Sequence, residues 1–291
     1  HGFFEISEII DFENILLKNF NEEILLKAKS IGFSDTRISK ISKVNIRKIN
    51  SLKNKKKFSA KFKNIDTCAG EFQSFTPYMY STWDFDYRDN KYEEETKVTK
   101  KKKVIIIGGG PNRIGQGIEF DYCCVHSSYA IKEIGIESIM INCNPETVST
   151  DFDTSNRLYF EPLDIESVLE ICNAENSDGN LLGVIVQLGG QTPLKLAEQI
   201  HNNKIPILGT DYQSIDICED RKRFNKLIKN LKINQPKSDI AYNRFEAKKS
   251  IKKIQFPIVI RPSYVLGGRA MRILNNEEDF ESYFEANIIE N

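Results

Sequence analysis

The sequence of 291 residues has no surplus of charge, with 41 Lys plus Arg against 41 Asp plus Glu. That balance excludes a global field aimed at nucleic acid or at an anionic membrane surface. No apolar run approaches the roughly 20 residues that a membrane-spanning helix needs. Histidine is scarce, and His1, His126 and His201 are scattered. None of the six cysteines (Cys68, Cys123, Cys124, Cys143, Cys172 and Cys218) forms a C-x-x-C pair. These absences argue against a structural zinc site, and the sequence offers no metal ligands. A charged-then-apolar leader is also lacking. The opening His1-Gly-Phe-Phe-Glu5 has no initiator Met and reads as a cut end. Without a secretory signal, the cysteines are expected to be reduced, mostly buried thiols in the cytoplasm.

What is present divides the chain into four stretches. Residues 1–90 read as helical. Ile6, Ile9, Ile10 and Leu17 recur at helical spacing, as do Ile24, Leu25 and Ala28 before Gly32, a helix stop. Ser34 and Asp35 offer N-cap side chains for another short helix holding Ile38 and Ile41. The basic run Lys53, Lys55, Lys56, Lys57, Lys61 and Lys63 has few aromatic stacking partners, so a solvated loop is expected rather than a phosphate-binding arm. Residues 76–83 are apolar and aromatic and should pack against a neighbour. The charged stretch 88–103 holds almost nothing a core could use, and 91–103 reads as a linker.

From Val104 the texture changes. Val104-Ile-Ile-Ile107, Ser138-Ile-Met-Ile-Asn142, Gly183-Val-Ile-Val-Gln187 and Ile205-Pro-Ile-Leu208 are apolar runs of the kind found in parallel strands buried on both faces. Helix-length segments around 117–134, 165–176 and 192–203 lie between them. This alternation predicts a parallel α/β sheet over 104–215. A charged helix from Asp216 opens a further unit, 216–291, so the fold class is α/β: a helical segment, a parallel-sheet domain and a truncated α+β domain.

Gly108-Gly-Gly-Pro-Asn-Arg-Ile-Gly-Gln-Gly117 follows the first run and opens a helix, where anions favour exposed N–H groups. Arg113 occupies the third glycine position of the dinucleotide fingerprint, so no dinucleotide is implied. A P-loop fails too, since Gln116 and Gly117 stand where Lys and Ser or Thr are required. A tight turn with one cation remains, and an anion site and a purely structural turn weigh equally. Gln187-Leu-Gly-Gly-Gln-Thr-Pro193 repeats the arrangement at the same sheet edge, as does the polar loop Asn142-Cys-Asn-Pro-Glu-Thr-Val-Ser-Thr-Asp151. Cys143 reads as a packing residue and His126 as a core or surface histidine.

Phe256-Pro-Ile-Val-Ile-Arg-Pro-Ser-Tyr-Val-Leu-Gly-Gly-Arg-Ala-Met-Arg-Ile273 reads as two strands around a Gly-Gly turn. Its Arg261 is expected to face inward from an apolar strand, where an unpaired guanidinium is costly and an anion must meet it. The glycines Gly267 and Gly268 would let backbone N–H groups approach phosphate oxygens. Arg221, taken alone, reads as a surface residue.

These strings resemble the large chain of carbamoyl-phosphate synthetase. Gly108–Asp151 with Gly189-Gly-Gln-Thr-Pro-Leu-Lys195 resembles its pre-ATP-grasp domain, and the arginine hairpin resembles the start of an ATP-grasp domain. Gly32-Phe-Ser-Asp-Thr-Arg37, Asp66-Thr-Cys-Ala69 and Tyr78-Met-Tyr-Ser-Thr82 resemble the end of the oligomerisation domain between the family's two synthetase halves. Arg113, Gln116 and Glu119-Phe-Asp-Tyr-Cys-Cys124 resemble the second half. The resemblance implies an ATP-grasp ligase in which ATP phosphorylates carbamate to carbamoyl phosphate. It implies nucleotide-phosphate contacts at Arg221, Arg261, Gly267 and Gly268, with Arg261 catalytic, and Glu119 and Glu146 lining a carbamate tunnel. It further implies Mg2+ or Mn2+ on ligands beyond residue 291, the rest of the synthetase chain, a glutaminase subunit or domain, and an oligomer. The family serves pyrimidine and arginine biosynthesis, and the sequence does not say which. Two alternatives stay open: another ATP-grasp ligase such as a biotin-dependent carboxylase subunit, and a non-catalytic binding or assembly module. In either enzyme reading the 291 residues alone are expected to be inactive.

Overall fold

The structure is a computed structural model that describes residues 2–83, 94–111, 113, 117–261 and 271–286. It divides into two compact units, residues 1–112 with 118–212, and residues 113–117 with 213–291.

The first unit begins with four helices, α1 (Gly2–Lys18), α2 (Glu22–Ser30), α3 (Asp35–Ser42) and α4 (Ile46–Lys56). Their starts are written in the sequence. Asn21, Ser34 and Asn45 each accept a hydrogen bond from a backbone N–H of the first turn, those of Ile24, Arg37 and Arg47, which satisfies donors that a helix start leaves open. Gly32, at φ +94°, takes the left-handed conformation just past α2. Leu16, Leu25, Ala28, Phe33, Ile38 and Ile49 close a small core among the four helices.

The helical reading of 1–90 stops at Lys56. Beyond it lie β1 (Lys61–Asn64) and β2 (Tyr78–Thr82), which join the same sheet as β3 (Lys103–Ile107). After β3 come α5 (Glu119–Glu133), β4 (Glu137–Asn142), β5 (Arg157–Phe160), α6 (Ile165–Glu175) and β6 (Leu181–Ile185). Two short helices, α7 (Gln191–Leu194) and α8 (Ala197–Asn202), follow. The strand order is β1-β2-β5-β4-β3-β6, parallel except for the β1–β2 pair. Val184 bridges in parallel to Ile207, the last of the four predicted runs.

Every residue of β3 and β4 is buried, as continuous apolar runs require. The expected linker is corrected at both described ends. Glu95 N–H donates to Phe62 O at 3.0 Å, Thr96 is buried, and Lys103 is a fully buried strand residue. Its Nζ donates to Thr99 O at 2.7 Å and to Asp178 Oδ1 at 3.0 Å, so the charge is paired rather than solvated.

The second unit holds most of α9 (Tyr212–Glu219), then α10 (Arg221–Asn230), α11 (Arg244–Ile254), the antiparallel pair β7 (Ile258–Ile260) and β8 (Arg272–Leu274), and α12 (Glu277–Ala286). The single charged helix expected from Asp216 is thus two helices. Asp220 divides them and caps α10 by accepting from Arg223 N–H at 2.8 Å. Ala247, Leu274, Phe280 and Tyr283 form this unit's core.

Candidate functional site

The loops after β3, β4 and β6 meet at one edge of the sheet, because those three strands are parallel neighbours. Asn142, at the end of β4, organises the meeting. Its Oδ1 accepts from Gly110 N–H at 3.0 Å and from Cys143 N–H at 2.9 Å, while its Nδ2 donates to Ser149 Oγ at 3.1 Å. A Cβ on Gly108 would stand 2.7 Å from the Asn142 side chain, and one on Gly189 would stand 2.5 Å from the Gly108 carbonyl. The two glycine turns therefore lie backbone against backbone, and Gly108 and Gly189 are glycine because nothing larger fits. The crevice edge exists as the motifs predicted, but these two glycines serve contact between turns. Arg113 is exposed, and Gln116 lies outside the described residues.

Glu119 is the first residue of α5 and is exposed, as is Glu146 in the loop after β4. A hydrogen bond from Ser149 N–H to Asp121 Oδ2 at 3.1 Å ties the two segments together. Glu146 N–H donates to Asn144 Oδ1 at 3.0 Å, fixing its turn. Burial pushes the Cys143 thiol up and carries those of Cys124 and Cys172 to about 12. They are poor nucleophiles at neutral pH, in keeping with packing roles. His126 is exposed and stacks between Tyr122 and Tyr129 on α5.

In the second unit, Arg221 opens α10 and is exposed. The first turn carries Arg221, Lys222 and Arg223 and no acid. Cations crowd the positive end of a helix there, an arrangement that an anion relieves. Arg223 is already spent on Asp216. Arg261 corrects the expectation: β7 ends at Ile260, and Arg261 is exposed just past it. The reason is the open hairpin, whose Val259 is 63% exposed, so no burial forces an anion on the guanidinium. Among the described residues neither Arg221 nor Arg261 has a carboxylate partner, which leaves both free for a phosphate. Gly267 and Gly268 lie outside the described residues. Among the described residues, no group of three His, Cys, Asp or Glu is placed to hold a metal ion. No described helix is long and apolar enough to cross a membrane.

Three family models match the chain: the carbamoyl-phosphate synthetase large chain oligomerisation domain over residues 3–57, the carbamoyl phosphate synthase preATP-grasp domain over 100–217, and the carbamoyl-phosphate synthase L chain ATP binding domain over 220–291. The carbamoyl phosphate synthase large chain of Rhizobium meliloti is 54% identical over 261 residues, 90% of this chain and 22% of that one. That of Archaeoglobus fulgidus is 48% identical over 287 residues, 96% and 26%. The chain thus spans about a quarter of the length of these relatives. Among solved structures, the biotin carboxylase domain of Hydrogenobacter thermophilus 2-oxoglutarate carboxylase aligns with a TM-score of 0.47 and 24% identity, over 64% of this chain and 40% of that one. So loose a likeness says nothing of chemistry.

Proposed function

Because the chain belongs to the carbamoyl-phosphate synthase large-chain family, we propose that it forms part of the synthetase half that phosphorylates carbamate with ATP. It would supply the end of the oligomerisation domain, a pre-ATP-grasp domain and the opening of an ATP-grasp domain. The observation that carries this reading is the pair of exposed arginines without carboxylate partners, Arg221 at the start of α10 and Arg261 at the mouth of the β7–β8 hairpin.

Phosphoryl transfer asks a protein chiefly for positioning and for charge stabilisation around the transferring group. Arg221 and Arg261 would hold the nucleotide phosphates and offset charge that grows on their oxygens in the transition state. A divalent ion, Mg2+ or Mn2+, supplies further charge neutralisation when bound. Glu119 and Glu146, anchored by the Asp121–Ser149 bond, would line the carbamate path. A glutaminase subunit or domain would supply ammonia, and the assembly would be a cytoplasmic oligomer. The biotin-carboxylase alternative draws support only from a fold likeness, whereas the carbamoyl-phosphate synthase relatives are near half identical over nearly the whole chain.

The test is carbamoyl phosphate formation from ATP and carbamate by the full-length protein. Arg261→Ala should lower that rate by about 10³-fold or more, the scale at which an arginine acts on a phosphoryl transition state. An unchanged rate removes Arg261 from the site. Residues 1–291 alone should release no ADP with carbamate present, and carbamate-dependent ADP release would overturn the view that the site needs residues outside them.

A further inference from the structure

A cavity of about 270 Å³ lies inside the first unit, between the helical segment and the β1–β2 edge of the sheet. None of the residues proposed for nucleotide or carbamate lines it. Its walls are Phe33, Phe62 and Trp83 on the apolar side, and Glu161, Glu166 and Glu170 on the charged side.

The cations nearby are already committed. Lys29, 4% exposed, donates to Phe33 O at 2.9 Å and to the Glu166 carboxylate, and lies 3.4 Å from Asp35 Oδ1. Lys53 donates to Asp35 Oδ2 at 2.8 Å and sits 3.3 Å from both Glu166 Oε1 and Glu170 Oε1. Both ammonium groups stand over the Trp83 ring, 4.6 and 4.7 Å from its centroid. Two cations therefore answer Asp35, Glu166 and Glu170, and nothing positive is left over.

Glu161 is the group this arrangement leaves unanswered. It is 6% exposed, and its one hydrogen bond is accepted from Ser81 N–H. Its nearest charged neighbour is another acid, Asp164, which caps α6 by accepting from Ser167 N–H at 2.9 Å. Burial first, and then Asp164, push the Glu161 carboxyl above its ordinary value, against the Ser81 hydrogen bond. A buried carboxylate without a counter-ion is costly, so a cation entering this cavity gains an unshared partner. The described acids are not grouped as metal ligands. A cation with carbon attached fits better, because Phe33 and Phe62 offer apolar wall beside the acid.

We propose that this cavity binds a small aliphatic amine, with its ammonium group paired to Glu161 and its carbon chain against Phe33 and Phe62. The cavity lies just below the usual size range of drug-sized pockets, which suits a ligand of a few carbons. The site is independent of the phosphate chemistry proposed above.

The test is calorimetric titration of n-butylammonium into the full-length protein at pH 7.5, with n-butanol as the uncharged match. Saturable binding of n-butylammonium, at least tenfold tighter than n-butanol, is expected. Glu161→Gln keeps an acceptor for Ser81 N–H and should weaken n-butylammonium at least tenfold. No saturable binding, or equal affinity for amine and alcohol, overturns the proposal without recourse to any variant. So does a folded Glu161→Gln protein that binds the amine as well as the parent does.

Discussion

The two units spend their charged residues in opposite ways. In the first, charge is buried and paired. Arg157 on β5 donates to Glu175 Oε1 at 2.6 Å and to Glu137 Oε2 at 2.8 Å, and Tyr159 OH donates to the same Glu175 oxygen at 2.7 Å. All four side chains are less than a tenth exposed. In the second, α10 buries no residue at all, and both arginines proposed to meet phosphate are exposed. Paired, buried charge fixes structure and is lost to chemistry. Exposed charge without a partner costs little in folding and stays available to a ligand. The contrast gives a rule for this molecule: substitutions of charge in the first unit should act on stability, and those in the second on activity.

The strongest way to break the rule is Glu175→Ala. It strands Arg157 and Tyr159 in the core and should cost about 3–5 kcal/mol. Urea unfolding followed by emission of the single tryptophan, Trp83, reads the loss, since that ring lies in the first unit among Lys29, Lys53 and Phe58. Gly189→Ala comes next. Its new methyl meets the Gly108 carbonyl carbon and oxygen, and the two turns must separate at a cost of about 1–3 kcal/mol.

A pH titration then sharpens the comparison. Burial alone would raise the Asp35 carboxyl, but Lys29 and Lys53 overcome it and hold it below 3.8. Its contribution is present above the unfolded value and is lost as pH falls through the lower folded value. Burial alone would lower Lys53, but Asp35, Glu170 and Glu166 overcome it and hold it above 10.5. That contribution is present below 10.5 and is lost as pH climbs through the higher folded value. Stability of the dock around Trp83 should therefore fall on the acid side of 3.8 and the alkaline side of 10.5 and change little between. A midpoint that drifts steadily through neutral pH would sink this account. The smallest expected effect is Arg221→Ala, within about 0.5 kcal/mol of the parent in unfolding, yet with reduced carbamoyl phosphate formation. A stability loss with unchanged activity would reverse the rule.

The legibility of the sequence follows the same division. β3 and β4 were readable because Val104-Ile-Ile-Ile107 and Ile139-Met-Ile141 are buried on both faces and need no polar residue. β5 was not, because it opens on Arg157, whose partners Glu137 and Glu175 lie 20 and 18 residues away and leave no local signal. Lys53 looked solvated within a basic run for the same reason, its answering Glu166 lying 113 residues along the chain. β1 was hidden in that run too, although Phe62 between two lysines is the alternation of a half-buried strand. The glycine turns were legible as turns, but only their mutual contact explains Gly108 and Gly189. The arginines were found through the resemblance, and the exposure of Arg261 could not be read from an apolar string that burial would have suited equally well.

The way β1 and β2 complete the sheet bears on how this protein could be exchanged piecewise with its relatives. The matched preATP-grasp span begins at residue 100, after both strands. Yet Leu158 N–H of β5 donates to Pro77 O at 2.8 Å, and the Tyr159 ring meets the edge of Phe62 with centroids 5.0 Å apart. A recombinant that inherited residues 100–217 from one parent and the preceding strands from another would join two halves of one sheet made under separate selection. Without those strands, β5 would become an open, adhesive border. The boundary that sequence likeness draws is thus not a seam along which this molecule can be cut: the working module of inheritance reaches back at least to Lys61.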